Sequence, residues 1–279
     1  MATEKKSMLC PKCRKLISSD EPMCPYCGLA RPGSWWKSAL GNSLLNNPGS
    51  VVNAIIAVNV VFFIISILIN PSRVGFAASP FTFLSPSDSS LFALGATGTI
   101  PIRLYHRWWT LGSASFLHGG ILHIAFNMLA LRQLGPFVAY EYGINRFIII
   151  YILSGVAGFA LSYVAGVPFT IGASASICGL IGAIVYYGKS RGGTYGQAIY
   201  KQATGWIIGL ALFGLLLPGI NNWGHGGGIL AGIALGFALK YSDRAPESML
   251  DRAGSILCIA VTALILTWSL VQAYGMIGP

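Results

Sequence analysis

Charge is scarce in this chain. Of its 279 residues, 9% are Asp, Glu, Lys or Arg, against about 25% in a typical water-soluble domain. That shortage excludes an ordinary soluble globular protein. Acidic residues are scarcer still, 8 against 18 Lys and Arg. The resulting net charge of +10 is the basic excess of cytoplasmic loops in a membrane protein, and no nucleic-acid partner is expected. A cleavable signal peptide is also missing from the reading: the N-terminus is polar and Cys-rich, and the first apolar run starts only near Val51. Histidine is rare, with four in all, so each one is informative.

What the chain has in quantity is apolar residues, 54%, and Gly, 35 residues, both in keeping with transmembrane helices. Seven apolar segments are expected at about 51–69, 114–135, 147–166, 174–188, 199–217, 224–240 and 254–274. Most approach the 20 residues or so that cross a bilayer, and the fourth and sixth are short for it. The linker 70–113, with Pro, Ser and aromatic residues, is too long for a simple turn and is expected to have structure of its own.

Six Cys are unevenly placed. Cys178 and Cys258 lie in apolar runs and read as small hydrophobes. The other four form CPKC at Cys10–Cys13 and CPYCG at Cys24–Gly28, ten residues apart. Paired Cys-x-x-Cys motifs offer Cys10, Cys13, Cys24 and Cys27 as four thiolates for one tetrahedral structural zinc; a redox pair or disulfides are the alternatives. Residues 1–33 therefore read as a zinc ribbon whose folding energy comes from the metal. Residues 34–50 read as a linker with an interfacial anchor at Trp35, Trp36 and Lys37.

Basic residues set the orientation. Those before the first span, together with Arg132, Arg146, Lys189, Arg191, Lys201, Lys240, Arg244 and Arg252, all fall on one side if the N-terminus is cytoplasmic. The loops 167–173 and 218–223 carry no charge. Seven spans then leave the C-terminus outside and the Cys module in a reducing compartment, where thiolates ligate metal rather than oxidise.

This topology gathers polar groups at one depth. Ser174 opens the fourth span and His225 the sixth, both on the outer side. His118, His123 and Asn127 fall on the second span, with His123 and Asn127 four apart and so on one face. Ionisable groups inside a bilayer are costly and read first as functional, although a core hydrogen bond or a helix contact would explain any single one. Together they suit nucleophilic hydrolysis. Serine needs a base within reach, which His225 would be. The tetrahedral intermediate needs donors, which His123, Asn127 and the unpaired N–H groups opening the fourth helix would be. Gly224, Gly228, Gly232 and Gly236 form one small-residue ladder, and Ser174, Cys178 and Gly182 another. Such faces bring helices close in lipid, here Ser174 towards His225; dimer packing is the alternative use. Ser176, the rival nucleophile, lies about 200° around the helix from Ser174.

HGGILHIAFNMLAL at 118–131, GASASICGLIGA at 172–183 and NWGHGGGILAG at 222–232 resemble, in order, the signature helices of the rhomboid family of intramembrane serine proteases. The resemblance covers residues 51–240. It implies an all-α membrane protein: a six-helix bundle with one further C-terminal helix in 241–279, here preceded by the small cytoplasmic zinc ribbon. It implies Ser174 as nucleophile and His225 as base in a dyad without a carboxylate, His123 and Asn127 as oxyanion stabilisers, and Gly228 and Gly232 as a packing face. It implies no cofactor for catalysis, a cavity open to the outer side, and a first loop, 70–113, lying partly in the membrane. Three positions depart from the family pattern. Ala175 stands where Gly is usual, Cys178 where an aromatic usually stacks on the histidine, and Trp109-Thr110 where Trp-Arg is usual, with Arg107 just upstream.

The sequence thus points to an intramembrane serine endopeptidase. Its expected partners are transmembrane protein substrates, cut near the outer side, and the lipid bilayer. A catalytically inactive, client-binding relative whose zinc ribbon recruits a cytosolic protein is the alternative. A transporter would line a path across the whole bilayer, and the inner halves of these spans are apolar.

Overall fold

The computed structural model describes residues 7–10, 15–33, 47–76, 83–216 and 219–277. Cys13, Trp35, Trp36 and Lys37 lie outside them. The chain divides into two compact units, Met1–Val51 and Val52–Pro279.

The first unit is built on a hairpin. Strands β1 (Ser7–Leu9) and β2 (Leu16–Ser18) pair antiparallel with Met8 opposite Ile17. A second turn is closed by Cys24 N–H donating to Leu29 O at 2.8 Å and Gly28 N–H to Cys24 O at 3.0 Å. Gly28 sits at φ +71°, a left-handed conformation that glycine adopts without strain. Among the described residues the core is Cys10, Ile17 and Cys24, flanked by Met8, Cys27 and Leu29. So little apolar surface cannot by itself offset the conformational entropy lost on ordering the chain.

The second unit is a helical membrane bundle. Its long helices are α1 (Pro48–Ile69, which begins just before the unit boundary), α4 (Ile121–Tyr142), α5 (Ile144–Val164), α6 (Ser174–Arg191), α7 (Gly193–Leu216), α8 (Asn222–Leu239) and α9 (Met249–Ile277). Five of them, α1, α4, α5, α7 and α9, are long and apolar enough to cross a membrane; α6 and α8, with 18 residues each, are the two segments whose sequence is short for a crossing. Helix α6 is central. It packs against α4, α5, α7 and α8, which explains why its residues are small and buried almost all round. Outer helices instead show apolar side chains such as Val61, Leu68, Leu212, Phe213, Leu257 and Leu264, as a lipid-facing surface does.

Helix α4 corrects the sequence reading at both ends. It starts at Ile121 rather than 114, because a 3₁₀ turn at Ala114–Phe116 and the Gly119-Gly120 pair precede it. His118 therefore lies ahead of the helix, not on it. The helix also runs through Pro136 to Tyr142, since a bundle tolerates an internal proline where neighbours supply other bonds.

The linker after α1 carries a short β3–β4 hairpin (Gly75–Phe76 and Phe83–Ser85) and small helices α2 (Asp88–Ala93) and α3 (Thr110–Ser113). Ser87 caps α2 by accepting from Ser90 N–H. Arg107 closes its other end, donating to Phe92 O at 2.5 Å and Ala93 O at 3.1 Å, with its guanidinium over the rings of Phe92 and Trp109. The linker is then bonded to the segment before α6. Thr97 and Thr170 exchange backbone bonds of 3.1 and 2.7 Å, and Thr99 N–H donates to Val167 O at 2.8 Å.

At the other end of the bundle, Glu247 caps α5 by accepting from the N–H groups of Asn145 at 2.7 Å and Arg146 at 3.2 Å. Arg146 is paired with Asp251 at 3.0 Å, their side chains 3% and 9% exposed. It also donates to the carbonyls of Lys240, Ala245 and Pro246. A residue that reads from sequence as a loop charge is thus the buried hub that fastens the α8–α9 connection to α5.

Candidate functional site

Two helix starts make the site. Gly172, at φ +124°, turns the chain into α6, and its N–H donates to Ala114 O at 2.9 Å; Ser174 is the first residue of the helix. Helix α8 starts beside it. Asn221 caps that helix, its Oδ1 accepting from Gly224 N–H at 2.9 Å. His225 N–H donates to Asn221 O at 3.1 Å, so the imidazole leaves from the first turn.

Glycines let the two helices touch. A Cβ on Gly228 would collide with the Ala175 carbonyl, and one on Gly232 with the Gly179 carbonyl. The facing row on α6 therefore includes Ala175 and Gly179 besides Cys178 and Gly182, one residue round from the ladder read in sequence. Ser174 stands at the end of this contact, and its Oγ lies 2.9 Å from His225 Nε2. For the hydroxyl to donate there, the neutral ring carries its proton on Nδ1. That nitrogen has no partner among the described residues, so none of their carboxylates completes a triad. Ser176 Oγ is turned away: it occupies the space where a Gly155 Cβ would project from α5.

His123 reaches the same place from α4. A Cβ on Gly172 would stand 2.8 Å from His123 Nε2 and 3.6 Å from Ser174 Oγ, so imidazole and hydroxyl converge on one spot. Gly119 N–H donates to His123 Nδ1 at 3.3 Å. A neutral ring that accepts at Nδ1 holds its proton at Nε2, and so presents an N–H donor beside Ser174. Asn127 lies one turn on, and its amide donates to His123 O at 3.0 Å; the bond it makes is to its own helix. His118 is fully buried and sets its ring edge-on to His123, centroids 5.1 Å apart.

Ala175 and Cys178 find clear explanations. Gly158 on α5 leaves the room that the Ala175 methyl fills, since a Cβ there would lie 2.9 Å from that of Ala175. The methyl also packs with Ala114 and Phe159. Cys178 is buried beside Gly228 and offers the imidazole no ring to lie against. Sequence reasoning missed Gly119, which donates to His123, and Asn221 with its partner Thr170, which secure the start of α8. Asn before the first turn of NWGHGGG was the one available signal, as a helix cap.

In the first unit, the sulfurs of Cys10, Cys24 and Cys27 lie within 4.8 Å of one another, with Cys10 and Cys27 at 3.7 Å. Four thiolates about 2.3 Å from a zinc stand roughly 3.8 Å apart. The three sulfurs could thus hold a metal ion.

Residues 105–242 match the family model of the Rhomboid domain. A Bacillus subtilis (strain 168) protein named Rhomboid protease GluP is 36% identical over 155 residues, which cover 56% of this chain and 30% of that protein. RHOMBOID-like protein 1 of Arabidopsis thaliana is 30% identical over 205 residues, 67% of this chain and 52% of its own length. RHOMBOID-like protein 5 of the same plant is 35% identical over 165 residues, 56% and 52% respectively. The chain spans about half or less of the length of these relatives. The matched domain takes in the helix starts that carry His123, Ser174 and His225, within a bundle whose outer helices are long and apolar enough to cross a bilayer: the chain is an integral, multi-pass membrane protein of the rhomboid family.

Proposed function

We propose that this protein is an intramembrane serine endopeptidase that cuts transmembrane protein substrates near the outer side of the bilayer. The 2.9 Å approach of Ser174 Oγ to His225 Nε2 is the observation that carries the reading. His225 Nε2 takes the hydroxyl proton as Ser174 Oγ attacks the scissile carbonyl carbon. The C–N bond then breaks, and the same nitrogen returns the proton to the leaving amine. A water molecule, deprotonated by His225, releases the acyl group from Ser174. The oxyanion is met by the Nε2–H of His123 and by N–H groups of the first turn of α6, which are unpaired at a helix start and carry the positive end of its dipole. Asn127 joins them by turning its amide from the His123 carbonyl. Gly228 and Gly232 hold the dyad together. No cofactor takes part.

In this reading seven spans cross the bilayer, with the N-terminus cytoplasmic and the C-terminus outside. Cys10, Cys24 and Cys27, with Cys13 as fourth ligand, hold a structural zinc that orders the N-terminal unit, which is a surface for a cytosolic protein. An inactive client-binding role has less support than the sequence alone lends it: the Ala175 methyl packs against α5, which leaves Cys178 as its one argument.

The test is cleavage of a reporter carrying a transmembrane helix, with the full-length chain in lipid vesicles. The reporter is cut by the wild type and left intact by His225→Ala. Equal cleavage by that variant would reject the mechanism.

A further inference from the structure

We propose that Asn221 is a positioning residue that holds His225 against Ser174; the inference rests on the endopeptidase reading above. Three elements meet at this one side chain. Its Oδ1 accepts from Gly224 N–H at 2.9 Å, inside α8. Its Nδ2 donates to Ser162 Oγ at 2.8 Å on α5 and to Thr170 Oγ1 at 2.9 Å in the segment that leads into α6. The partners fix which way the amide points. A backbone N–H can only donate, and the Ser162 hydroxyl is already committed to Gly158 O at 2.9 Å, so it accepts. Every hydrogen-bonding atom of the amide is therefore employed.

The bonds continue outward. Thr170 exchanges backbone bonds with Thr97; the Thr110 hydroxyl is committed to Arg107 O at 2.6 Å, so at 3.0 Å its Oγ1 accepts from Thr97 Oγ1. Asn221 thus ties the first turn of α8 to the approach to Ser174 and, through Thr97, to the linker. His225 needs such a tie. Its Nδ1 has no partner among the described residues, and Cys178, one turn after Ser174, gives it nothing flat to rest on. The imidazole is then placed by its backbone, and its backbone by the Asn221 carbonyl and side chain. A displacement of about 1 Å in a reacting group can cost up to 10²-fold in rate.

The test separates capping from clamping. Asn221→Ser retains a capping oxygen and loses the two amide bonds. Thr170→Val and Ser162→Ala remove the acceptors without touching α8. In vesicles with a transmembrane reporter, Asn221→Ser and the Thr170→Val, Ser162→Ala double variant each lower kcat by about tenfold or more. KM stays within about twofold, the uniform-binding term being untouched. The rate of fluorophosphonate labelling falls in parallel. Combining Asn221→Ser with the double variant costs no more than either alone, because the same bonds are removed. A merely structural role would instead reduce the fraction of labelled protein and leave kcat per labelled site at the wild-type value, which would overturn the proposal. Wild-type kcat in the double variant would overturn it equally, should Asn221→Ser fold poorly. If the wild type itself neither cleaves nor labels, the endopeptidase reading fails and this inference falls with it.

Discussion

Gly232 on α8 lies directly on the carbonyl of Gly179 on α6, with no side chain between the two backbones. Gly228 meets Ala175 in the same way. These contacts are the rigid frame that brings Ser174 to His225. Gly232→Ala must push the helices apart, because a carbonyl oxygen cannot swing aside as a long side chain can. The expected result is overpacking of about 1–3 kcal/mol and at least a hundredfold lower reporter cleavage, since the dyad is displaced. Gly226→Ala on the same helix meets nothing within 4 Å and is expected to leave the unfolding midpoint and cleavage rate unchanged. Equal effects of the two variants on cleavage and thermal unfolding would show that the helix contact is not the frame.

Gly172 combines a backbone requirement with a steric one. Its φ of +124° strains any side chain, and a Cβ would sit 2.8 Å from His123 Nε2. Gly172→Ala is expected to displace the His123 donor and lower kcat by about 10²-fold, the cost of losing one oxyanion donor. A kcat within a factor of two of the wild type, measured with the same reporter, would remove His123 from the oxyanion site.

Ion pairs at the far end of the bundle differ in worth according to burial. Arg146 and Asp251 are 3% and 9% exposed, while Arg191 and Asp243 are 36% and 62% exposed. Asp251→Asn leaves the Arg146 guanidinium uncompensated among carbonyls and is expected to destabilise by about 3–5 kcal/mol. Asp243→Asn breaks a solvated pair of little value and is expected to leave the unfolding midpoint in detergent unchanged. Comparable shifts from the two substitutions would contradict this ranking.

Among its described residues the N-terminal unit has a core of Cys10, Ile17 and Cys24. Its order is expected to depend on metal. Full-length protein should carry one zinc by elemental analysis, and Cys10→Ser with Cys27→Ser should abolish it. Chelation should make residues 1–33 protease-sensitive while reporter cleavage continues. Metal-free protein with the same protection would leave the cysteines without a structural role.

Much of the site was legible because its chemistry is rare in lipid. Four histidines in the chain, a serine at a helix start and a four-residue glycine spacing left few ways to bring such polar groups together. The helix starts at Ser174 and Asn222 lie within two residues of their expected places, since glycines mark both. Helix α4 was misjudged at its start because apolarity alone does not distinguish the 3₁₀ turn at Ala114–Phe116 from helix. The link between Thr97 and Thr170, 73 positions apart by numbering, and the clamp at Asn221 join segments with no shared periodicity, so no local pattern announces them. Gly158, which admits the Ala175 methyl, is invisible in sequence for the same reason: its role exists only across a helix interface.

Covalent labelling of the purified protein by a fluorophosphonate tests the centre most directly. Wild type and Ser176→Ala are expected to label at comparable rates, because Ser176 Oγ faces α5, while Ser174→Ala and His225→Ala take up no probe. Labelling that persists in Ser174→Ala, or that vanishes in a folded Ser176→Ala, would contradict the account.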